Sequence, residues 1–296
     1  MKKDKIKNKL FKSTIKIIGN KGLGKNFLGK SIKKYIIENS KTNEIIVNGC
    51  KMQLDKNDVM QMSLFDYDPI ETDIVKSNVK KNDIVVDVGA NIGYYTLLMA
   101  KIGAVVNSYE PAPNNFKLLQ KNVQQNNFSQ NITLHNKAVS NFIGTSKLYL
   151  QKKHTGGHQL GFDRFQTDNS IEVLVTKLDF DKIDFAKIDV EGSELNVLKG
   201  MKVLPKKLLI EFSPQKLQNI GTKLDDFFKF IEKFSIKEVS KNGLLEADFD
   251  KLRKIKYDAN LFLYWSTGIL ILFSSITDLT KKLSLKWSIT FYYNID

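Results

Sequence analysis

Fourteen residues, Asp83-Ile-Val-Val-Asp-Val-Gly-Ala-Asn-Ile-Gly-Tyr-Tyr-Thr96, carry most of the information about the architecture of this chain. They begin with a largely β-branched run, Asp83–Val88, which is typical of a strand buried on both faces. A glycine turn follows at Gly89, and Gly93–Ala100 has the composition of a buried helix. The stretch therefore predicts a strand, a tight turn and a helix in direct succession.

The same alternation continues outward along the chain. Further apolar strands are predicted at Val105–Tyr109, Ile132–His135, Phe185–Asp189 and Leu208–Phe212, and helices at Asn114–Gln125, Ser193–Gly200 and Leu224–Phe234. Unbroken apolar strands separated by helices indicate a parallel sheet covered on both faces. The predicted fold class is α/β, with a doubly wound, mostly parallel, Rossmann-like sheet.

Composition bounds the class of protein. The chain has 296 residues, of which 42% are hydrophobic and 26% charged, as in ordinary folded proteins. The single cysteine, Cys50, excludes a disulfide framework and a cysteine-based zinc or iron–sulfur site. No apolar run reaches the ~18 residues of a transmembrane helix, and the highly charged first ten residues are unlike a secretory signal. These features predict a cytoplasmic protein.

The net charge of +14 is concentrated at the N-terminus. Residues 1–40 carry +10 of it, so the rest of the chain is nearly balanced. Only Arg164 and Arg253 are arginines, and the other 44 cationic residues are lysines. Because arginine is the usual side chain for bidentate recognition of phosphates and base edges, this composition argues against a nucleic-acid partner.

Four segments are predicted: a basic amphipathic extension (1–40), a hairpin with a lead-in helix (41–80), the α/β domain (81–265) and an apolar tail (266–296). The hairpin pairs Glu44–Val47 with Cys50–Leu54 across an Asn-Gly turn.

The two terminal segments leave alternatives open. The extension either packs its apolar stripe on the body, which is the favoured interpretation, or lies on the inner face of a membrane. The tail contains Gly268–Phe273, which is apolar but too short to span a bilayer. It packs on the fold, forms an interface or touches a membrane.

The glycine turn and two carboxylates predict the kind of ligand. Counting from Gly89, Asn91 and Tyr94 stand where a dinucleotide-binding loop has its second and third glycines, and no Walker motif is present. The loop is therefore not built for phosphate. Asp87 at the strand end favours a positively charged ligand, and Glu110 follows Gly89 at the ~20-residue spacing of a ribose-binding acid. S-adenosylmethionine has both features and lacks a pyrophosphate.

These motifs resemble the FkbM-type methyltransferases. The similarity includes the opening stretch, Tyr109-Glu-Pro111, Asn136-Lys-Ala-Val-Ser140, Lys187-Ile-Asp-Val-Glu-Gly-Ser-Glu194 with Leu198-Lys-Gly200, and Leu208-Leu-Ile-Glu211, and it covers roughly residues 67 to 264. It implies the class I methyltransferase fold, a seven-stranded sheet with one antiparallel strand, and S-adenosylmethionine as cofactor.

The same resemblance implies a set of cofactor-binding residues. Asp87 to Gly93, including Gly89, Ala90 and Asn91, would hold the methionine part, and Glu110 would hold the ribose. Asn136 to Val139, including Ala138, would border the adenine, and Pro111 is also assigned to cofactor binding. The segment Tyr67–Glu71, including Glu71, resembles the part of the family that closes over the cofactor.

Carboxylates are predicted at the reaction end of the sheet. Asp189 and Glu191 end one strand, and either could be the general base for a hydroxyl acceptor. Alternatively, Asp189 with Glu191 or Glu211 could bind Mg²⁺, but the metal-free interpretation is favoured. Glu194 is assigned to helix capping.

The family resemblance, and the absence of an Asn/Asp-Pro-Pro-aromatic motif at Asp189–Gly192, favour an oxygen acceptor on a glycan or small metabolite. Methylation of RNA or protein through the basic arm, and a cofactor-binding module without turnover, are the competing hypotheses. His135 is predicted to be a packed strand-end residue. His154 and His158 lie in a glycine-rich loop, where either could serve as a base, but an exposed loop position is favoured for both.

Overall fold

A computed structural model of the chain describes residues 41–55, 60, 62–63, 66–151, 156–161 and 169–265. The predictions for the basic arm, for the apolar tail and for His154 lie outside these residues. No helix within the described ranges is both long enough and apolar enough to cross a membrane.

The described residues alternate between strands and helices. The strands are β1 (Glu44–Val47), β2 (Cys50–Gln53), β3 (Ile84–Val88), β4 (Val105–Tyr109), β5 (Ile132–His135), β6 (Ala138–Val139), β7 (Gly144–Tyr149), β8 (Gln159–Leu160), β9 (Ser170–Thr176), β10 (Phe185–Ile188), β11 (Lys207–Phe212), β12 (Ser235–Ser240), β13 (Gly243–Glu246) and β14 (Ala259–Tyr264). The helices are α1 (Pro69–Asn78), α2 (Tyr94–Ile102), α3 (Pro113–Gln125), α4 (Glu194–Lys199), α5 (Pro214–Asn219), α6 (Leu224–Ile231) and α7 (Phe249–Leu252).

The main sheet confirms the predicted fold class. Its eight strands run in the order β13-β12-β14-β11-β10-β3-β4-β5. The five adjacent strands from β11 to the edge strand β5 are mutually parallel, and β14 is antiparallel to both of its neighbours. The arrangement is the expected seven-stranded sheet with one antiparallel strand, extended at its edge by β13. Chain order reverses between β3 and β10, and in open α/β sheets ligands bind at such a switch point.

Both faces of the sheet are covered, as the apolar strands predict. One core cluster joins β2, α1, α2 and α3 to one face, and a second joins α4, α6 and α7 to the other. Side chains of a strand alternate between the two faces, so Val85 packs in the first core and Val86 in the second. By the same alternation Asp87 and Lys187, which are register partners on adjacent strands, share the face that α2 covers.

Two smaller sheets flank the main one. The β1–β2 hairpin forms as predicted, and both Asn48 and Gly49 have positive φ, which its two-residue turn requires. A four-stranded sheet, β6-β9-β7-β8, occupies the part of the chain where the α/β alternation lapses. Its small core contains Leu148, Val173 and Val175.

Candidate active site

A cavity of about 410 Å³ lies at the carboxyl ends of β3, β4 and β10, at the switch point of the sheet. Its lining includes eleven residues singled out from the sequence: Asp87, Gly89, Ala90, Asn91, Glu110, Pro111, Ala138, Val139, Asp189, Glu191 and Glu211. Three others, Glu71, Gly93 and Asn136, are outside the lining.

The glycine turn brings two strand ends unusually close together. Gly89 has a φ of +82°, and a Cβ atom placed on it would lie 1.8 Å from the backbone oxygen of Asp189. The amides of Gly89 and Ala90 both donate to the carbonyl oxygen of Tyr109 at 3.0 Å. Only glycine suits this conformation and this approach, so the turn ties the ends of β3, β4 and β10 together.

Asp87 lines the cavity and is 2% exposed. The Thr96 hydroxyl donates to its Oδ2 atom at 2.6 Å. Burial raises the pKa of Asp87 to about 6, although the Thr96 hydrogen bond and the charge of Lys187 oppose the shift. The carboxylate of Asp87 and the ammonium group of Lys187 are therefore buried side by side on this face of the sheet.

Glu110 is buried at the end of β4 and organises the next loop. Its Oε2 atom accepts the amide of Asn91 at 2.9 Å, and its Oε1 atom accepts the amide of Ala112 at 2.8 Å. Burial raises the pKa of Glu110 to about 7 against these hydrogen bonds. The Asn115 side chain also donates to this carboxylate. Because each carboxylate oxygen has more than one acceptor direction, some acceptor capacity remains for hydroxyl groups from the cavity.

Asn136 acts on the same loop from outside the cavity. Its side-chain amide donates to the carbonyl oxygens of Glu110 and Pro111, at 2.8 and 3.1 Å. Ala138 and Val139, just beyond it in β6, provide buried apolar wall. Asn136 therefore shapes the loop from behind, whereas its neighbours face the cavity.

Glu71 and Gly93 also lie behind the lining. The Glu71 carboxylate accepts a hydrogen bond from the Asn260 side chain at 2.9 Å, and the residue of its segment that lines the cavity is Tyr67. Gly93 has a φ of +98° at the start of α2, where a Cβ atom would lie 2.6 Å from the Leu119 side chain.

Asp189 lines the cavity just after β10, next to the glycine turn, and has a buried lysine beside it. Lys187 is 3% exposed, and its Nζ atom donates to Asp189 Oδ2 at 3.2 Å. The ammonium group also lies 5.5 Å from the centre of the Tyr95 ring, whose hydroxyl donates to Asp68 Oδ2. Desolvation lowers the pKa of Lys187, but the acids around it, led by Asp189, more than reverse this and raise it. Lys187 therefore remains charged.

The other two carboxylates at this end share a second lysine. Lys216 Nζ lies 2.6 Å from Glu191, 2.9 Å from Glu211 and 2.8 Å from Asp258. Burial raises the pKa of Glu191 to about 7, although Lys216 opposes the shift. Burial also raises the pKa of Glu211. Glu191 has a φ of 57°, an uncommon backbone conformation that clusters at functional sites.

Glu194 supports this end of the site from beneath. It is 1% exposed, and its Oε1 atom accepts the backbone amides of Val190 and Gly192 at 3.2 and 3.0 Å. Glu194 is the acidic residue in the first turn of α4, but these two amides precede the helix, and the cap residue Ser193 has no side-chain cap hydrogen bond. Glu194 therefore holds the turn before α4, and its assignment to helix capping stays a prediction.

The histidines differ in their relation to the cavity. His135 stacks on Tyr109 with ring centres 4.3 Å apart, which confirms its prediction as a packed strand-end residue. His158 lines the cavity, and its Nδ1 atom accepts the amide of Gln151 at 3.0 Å. His158 is half-buried in the cavity wall, so the favoured prediction of an exposed loop position is wrong for this residue.

Sequence reasoning missed three functional candidates: Lys187, Tyr95 and Lys216. Lys187 and Tyr95 stand inside quoted motifs, but nothing in the spacing shows that they meet. A charged residue in an otherwise apolar strand was the available signal for Lys187, because a buried lysine needs a partner. Lys216 follows Glu211 by five residues, in a segment for which the sequence predicts neither a helix nor a strand.

Comparison with known proteins identifies the family. The model of the methyltransferase FkbM domain matches residues 87–242. "Methyltransferase sdnD" of Sordaria araneosa is 27% identical over 42% of this chain and 62% of its own length. "Methyltransferase 1" of Beauveria bassiana is 27% identical over 40% of this chain and 59% of its own. The chain thus matches about three fifths of the length of these relatives.

A SAM-dependent O-methyltransferase from Thermotoga maritima overlaps 71% of both chains at 14% identity, with a TM-score of 0.39. Since the family model covers more than half of its residues, this chain belongs to the family of FkbM-domain methyltransferases.

Proposed function

We propose that this protein transfers a methyl group from S-adenosylmethionine to a hydroxyl oxygen of a small metabolite or a glycan. One observation carries the proposal: a single cavity is lined both by the glycine turn with Glu110 and by Asp189. The first group of residues suits an adenosine, and the second suits an acceptor that must lose a proton.

The charges around the cavity favour a cationic cofactor. Among the described lining residues, six have carboxylates and three have ammonium groups. A ligand with a sulfonium centre and an ammonium group complements this excess of negative charge. The Oδ1 atom of Asn91 is buried and has no hydrogen-bond partner among the described residues, so it is available to accept a hydrogen bond from a ligand. A buried acceptor left unpaired would be destabilising.

The cofactor supplies an activated methyl group, so the protein's own residues mainly align the reactants and remove one proton. In this proposal Asp189 accepts the proton of the acceptor hydroxyl. Lys187 holds one oxygen of Asp189 at 3.2 Å, which leaves the other oxygen for the acceptor. Tyr95, together with Lys187, closes the floor of the cavity beneath this carboxylate.

The residues around Asp189 favour an oxygen acceptor over an amine. Glu191 and Glu211 are already paired with Lys216, so Asp189 is the carboxylate with the more open surface, at 37% side-chain exposure. The strand end reads Asp189-Val-Glu-Gly192, without the proline pair of base-amino methyltransferases. An accessible carboxylate of this kind suits the removal of one proton from a hydroxyl group.

The test is incubation of the protein with S-adenosylmethionine labelled in its methyl group and with fractionated cell extract. We expect label in a small-molecule or glycan fraction, and we expect it to resist mild alkali, because methyl ethers are stable where methyl esters hydrolyse. Excess unlabelled S-adenosylhomocysteine should abolish labelling. Label confined to RNA, to protein or to an alkali-labile ester would overturn the assignment of the acceptor.

A further inference from the structure

Three carboxylates at the acceptor end of the cavity are close enough to suggest a divalent cation. One oxygen from each of Asp189, Glu191 and Glu211 lies within 4.8 Å of the others. Mg²⁺ binds carboxylate oxygens, often from two side chains together with oxygens of the substrate. A magnesium ion that binds two neighbouring hydroxyls of an acceptor is therefore the obvious alternative to a metal-free site.

A lysine side chain already stands in this cluster. The Nζ atom of Lys216 contacts the Oε2 atoms of Glu191 and Glu211, at 2.6 and 2.9 Å, and Asp258 Oδ2 at 2.8 Å. An ammonium group has three donors, and these three carboxylates use all of them. Lys216 has a side-chain exposure of 6%, and Glu191 and Glu211 each have 13%. The single positive charge of Lys216 thus offsets part of the negative charge of these carboxylates from within the protein.

The surrounding backbone holds Lys216 in place. It lies in α5, whose first turn is capped by the Ser213 side chain, and α5 directly follows the strand that carries Glu211. Gly192 packs against the same residue, because a Cβ atom on Gly192 would lie 2.7 Å from the backbone oxygen of Lys216. The lysine and its two glutamates therefore come from closely packed segments, one of which is the turn between β10 and α4.

A divalent ion would have to compete with this ammonium group. It would bind the same two glutamates within a few ångströms of Nζ, where two positive charges repel strongly in a buried site. Each carboxylate would also lose a short ion pair that compensates for its burial. The donor set of this chain, although rich in oxygen, therefore does not fit Mg²⁺ while Lys216 is present.

We propose that the Lys216 ammonium is the resident cation of this cluster, that it positions Glu191 and Glu211 at the acceptor end of the cavity, and that methyl transfer by this protein needs no divalent metal. The last part rests on the proposed function. The first two parts do not, because they concern only the side chains of the described residues. Lys216 is a positioning residue, since it acts through the two glutamates.

The experiment is a titration of the metal-free protein with Mn²⁺, followed by electron paramagnetic resonance and without cofactor or acceptor. The wild-type protein should show no site in this cluster. The Lys216→Met variant exposes the same oxygens to solvent cations and should gain one Mn²⁺ site, tighter than any wild-type site by about tenfold or more. Adding Glu211→Gln to Lys216→Met should remove that site again.

Lys202→Met is the matched control. Lys202 also pairs with two carboxylates, Asp179 and Asp181, at 3.2 and 2.7 Å, but both side chains are more than four-fifths exposed. Its removal should create no Mn²⁺ site.

Three results would overturn the inference. The first is a wild-type Mn²⁺ site that Glu211→Gln abolishes. The second is a folded Lys216→Met variant that binds no Mn²⁺. The third is methyl transfer by the wild-type protein that a chelator stops and Mg²⁺ restores. If Lys216→Met does not fold, the wild-type titration still decides between the two alternatives. Failure of the protein to bind S-adenosylhomocysteine would contradict the proposed function and leave the Mn²⁺ results intact.

Discussion

Replacing Glu110 separates the binding role of this residue from its structural role. Its two oxygens accept the backbone amides of Asn91 and Ala112 at 2.9 and 2.8 Å, and the residue is 5% exposed. In the proposed function the remaining acceptor directions bind the ribose hydroxyls. Glu110→Ala removes both kinds of hydrogen bond, so two different measurements should respond.

The expected magnitudes follow from the hydrogen bonds. A hydrogen bond to a charged group stabilises by about 1.5–3 kcal/mol, and water in the space left by the side chain replaces part of this. We expect Glu110→Ala to weaken binding of S-adenosylhomocysteine by ~1–3 kcal/mol, which is about 5- to 150-fold in Kd. The two unpaired amides should also lower the free energy of unfolding of the unliganded protein by ~1–3 kcal/mol.

Calorimetry measures the first quantity, and denaturant unfolding without ligand measures the second. Glu172→Ala is the control, because Glu172 is an exposed glutamate in β9 and should change neither value. If Glu110→Ala lowers the free energy of unfolding as expected but leaves the Kd within twofold of the wild type, Glu110 is only a structural residue. The ribose assignment would then be wrong.

Three further results are expected. Asp189→Asn keeps the shape of the side chain but cannot take up a proton, so it should bind S-adenosylhomocysteine like the wild type and lose methyl transfer; a fully active variant would remove Asp189 from the mechanism. Gly89→Ala should lower the free energy of unfolding by more than Gly221→Ala does, because a Cβ atom meets Asp189 at the first position and nothing within 4 Å at the second. We expect Gly221→Ala to cost about 1–2 kcal/mol for its left-handed backbone alone. Equal losses of the two variants in denaturant unfolding would contradict the close approach. Burial raises the pKa of Glu110 from its ordinary 4.5 to about 7, and ribose binding uses the ionised form, so S-adenosylhomocysteine should bind about tenfold more weakly at pH 6 than at pH 8. The folding stability should depend on pH in the opposite direction, because the folded state holds the Glu110 proton more tightly than the unfolded state and stability therefore falls as pH rises between these two pKa values. If Glu110→Gln leaves the pH dependence of S-adenosylhomocysteine binding unchanged, that pH dependence belongs to another group.

The fold could be predicted because local sequence and global topology agree. The apolar run at Asp83–Val88, the turn at Gly89 and the following helix each have strong local preferences, and the Asn-Gly hairpin is specified by two residues. The edge strand β13 was not predicted, because Gly243–Glu246 is mostly exposed and its pairing depends on β12 rather than on burial. The short helix α5 was missed for a related reason, since six residues show too little periodicity.

The site could be predicted in part. Asp87, Glu110 and Asp189 were placed correctly around one cavity, because the ends of parallel strands meet at one edge of the sheet. The two lysines could not be assigned from spacing. Lys187 faces Asp87 through strand pairing across 100 residues, and Lys216 meets carboxylates from three separate segments. Such contacts depend on register and packing, which a motif does not contain.

The family segment that was expected to close over the cofactor shows the limit of a resemblance. Glu71 accepts a hydrogen bond from Asn260 in β14, and Tyr67 is the residue of that segment in the cavity wall. A shared motif indicates where a segment runs, but the direction of each side chain depends on what packs against it. The role of Glu71 toward the cofactor stays a prediction.

The central claim is that the cavity at the switch point binds an adenosine that carries a sulfur centre. A crystal structure of the protein soaked with S-adenosylhomocysteine tests it most directly. We predict that the ribose hydroxyls lie within hydrogen-bond distance of Glu110, with the sulfur atom toward Asp189. An occupied site elsewhere on the chain, or a cavity that stays empty at saturating ligand, would contradict the claim.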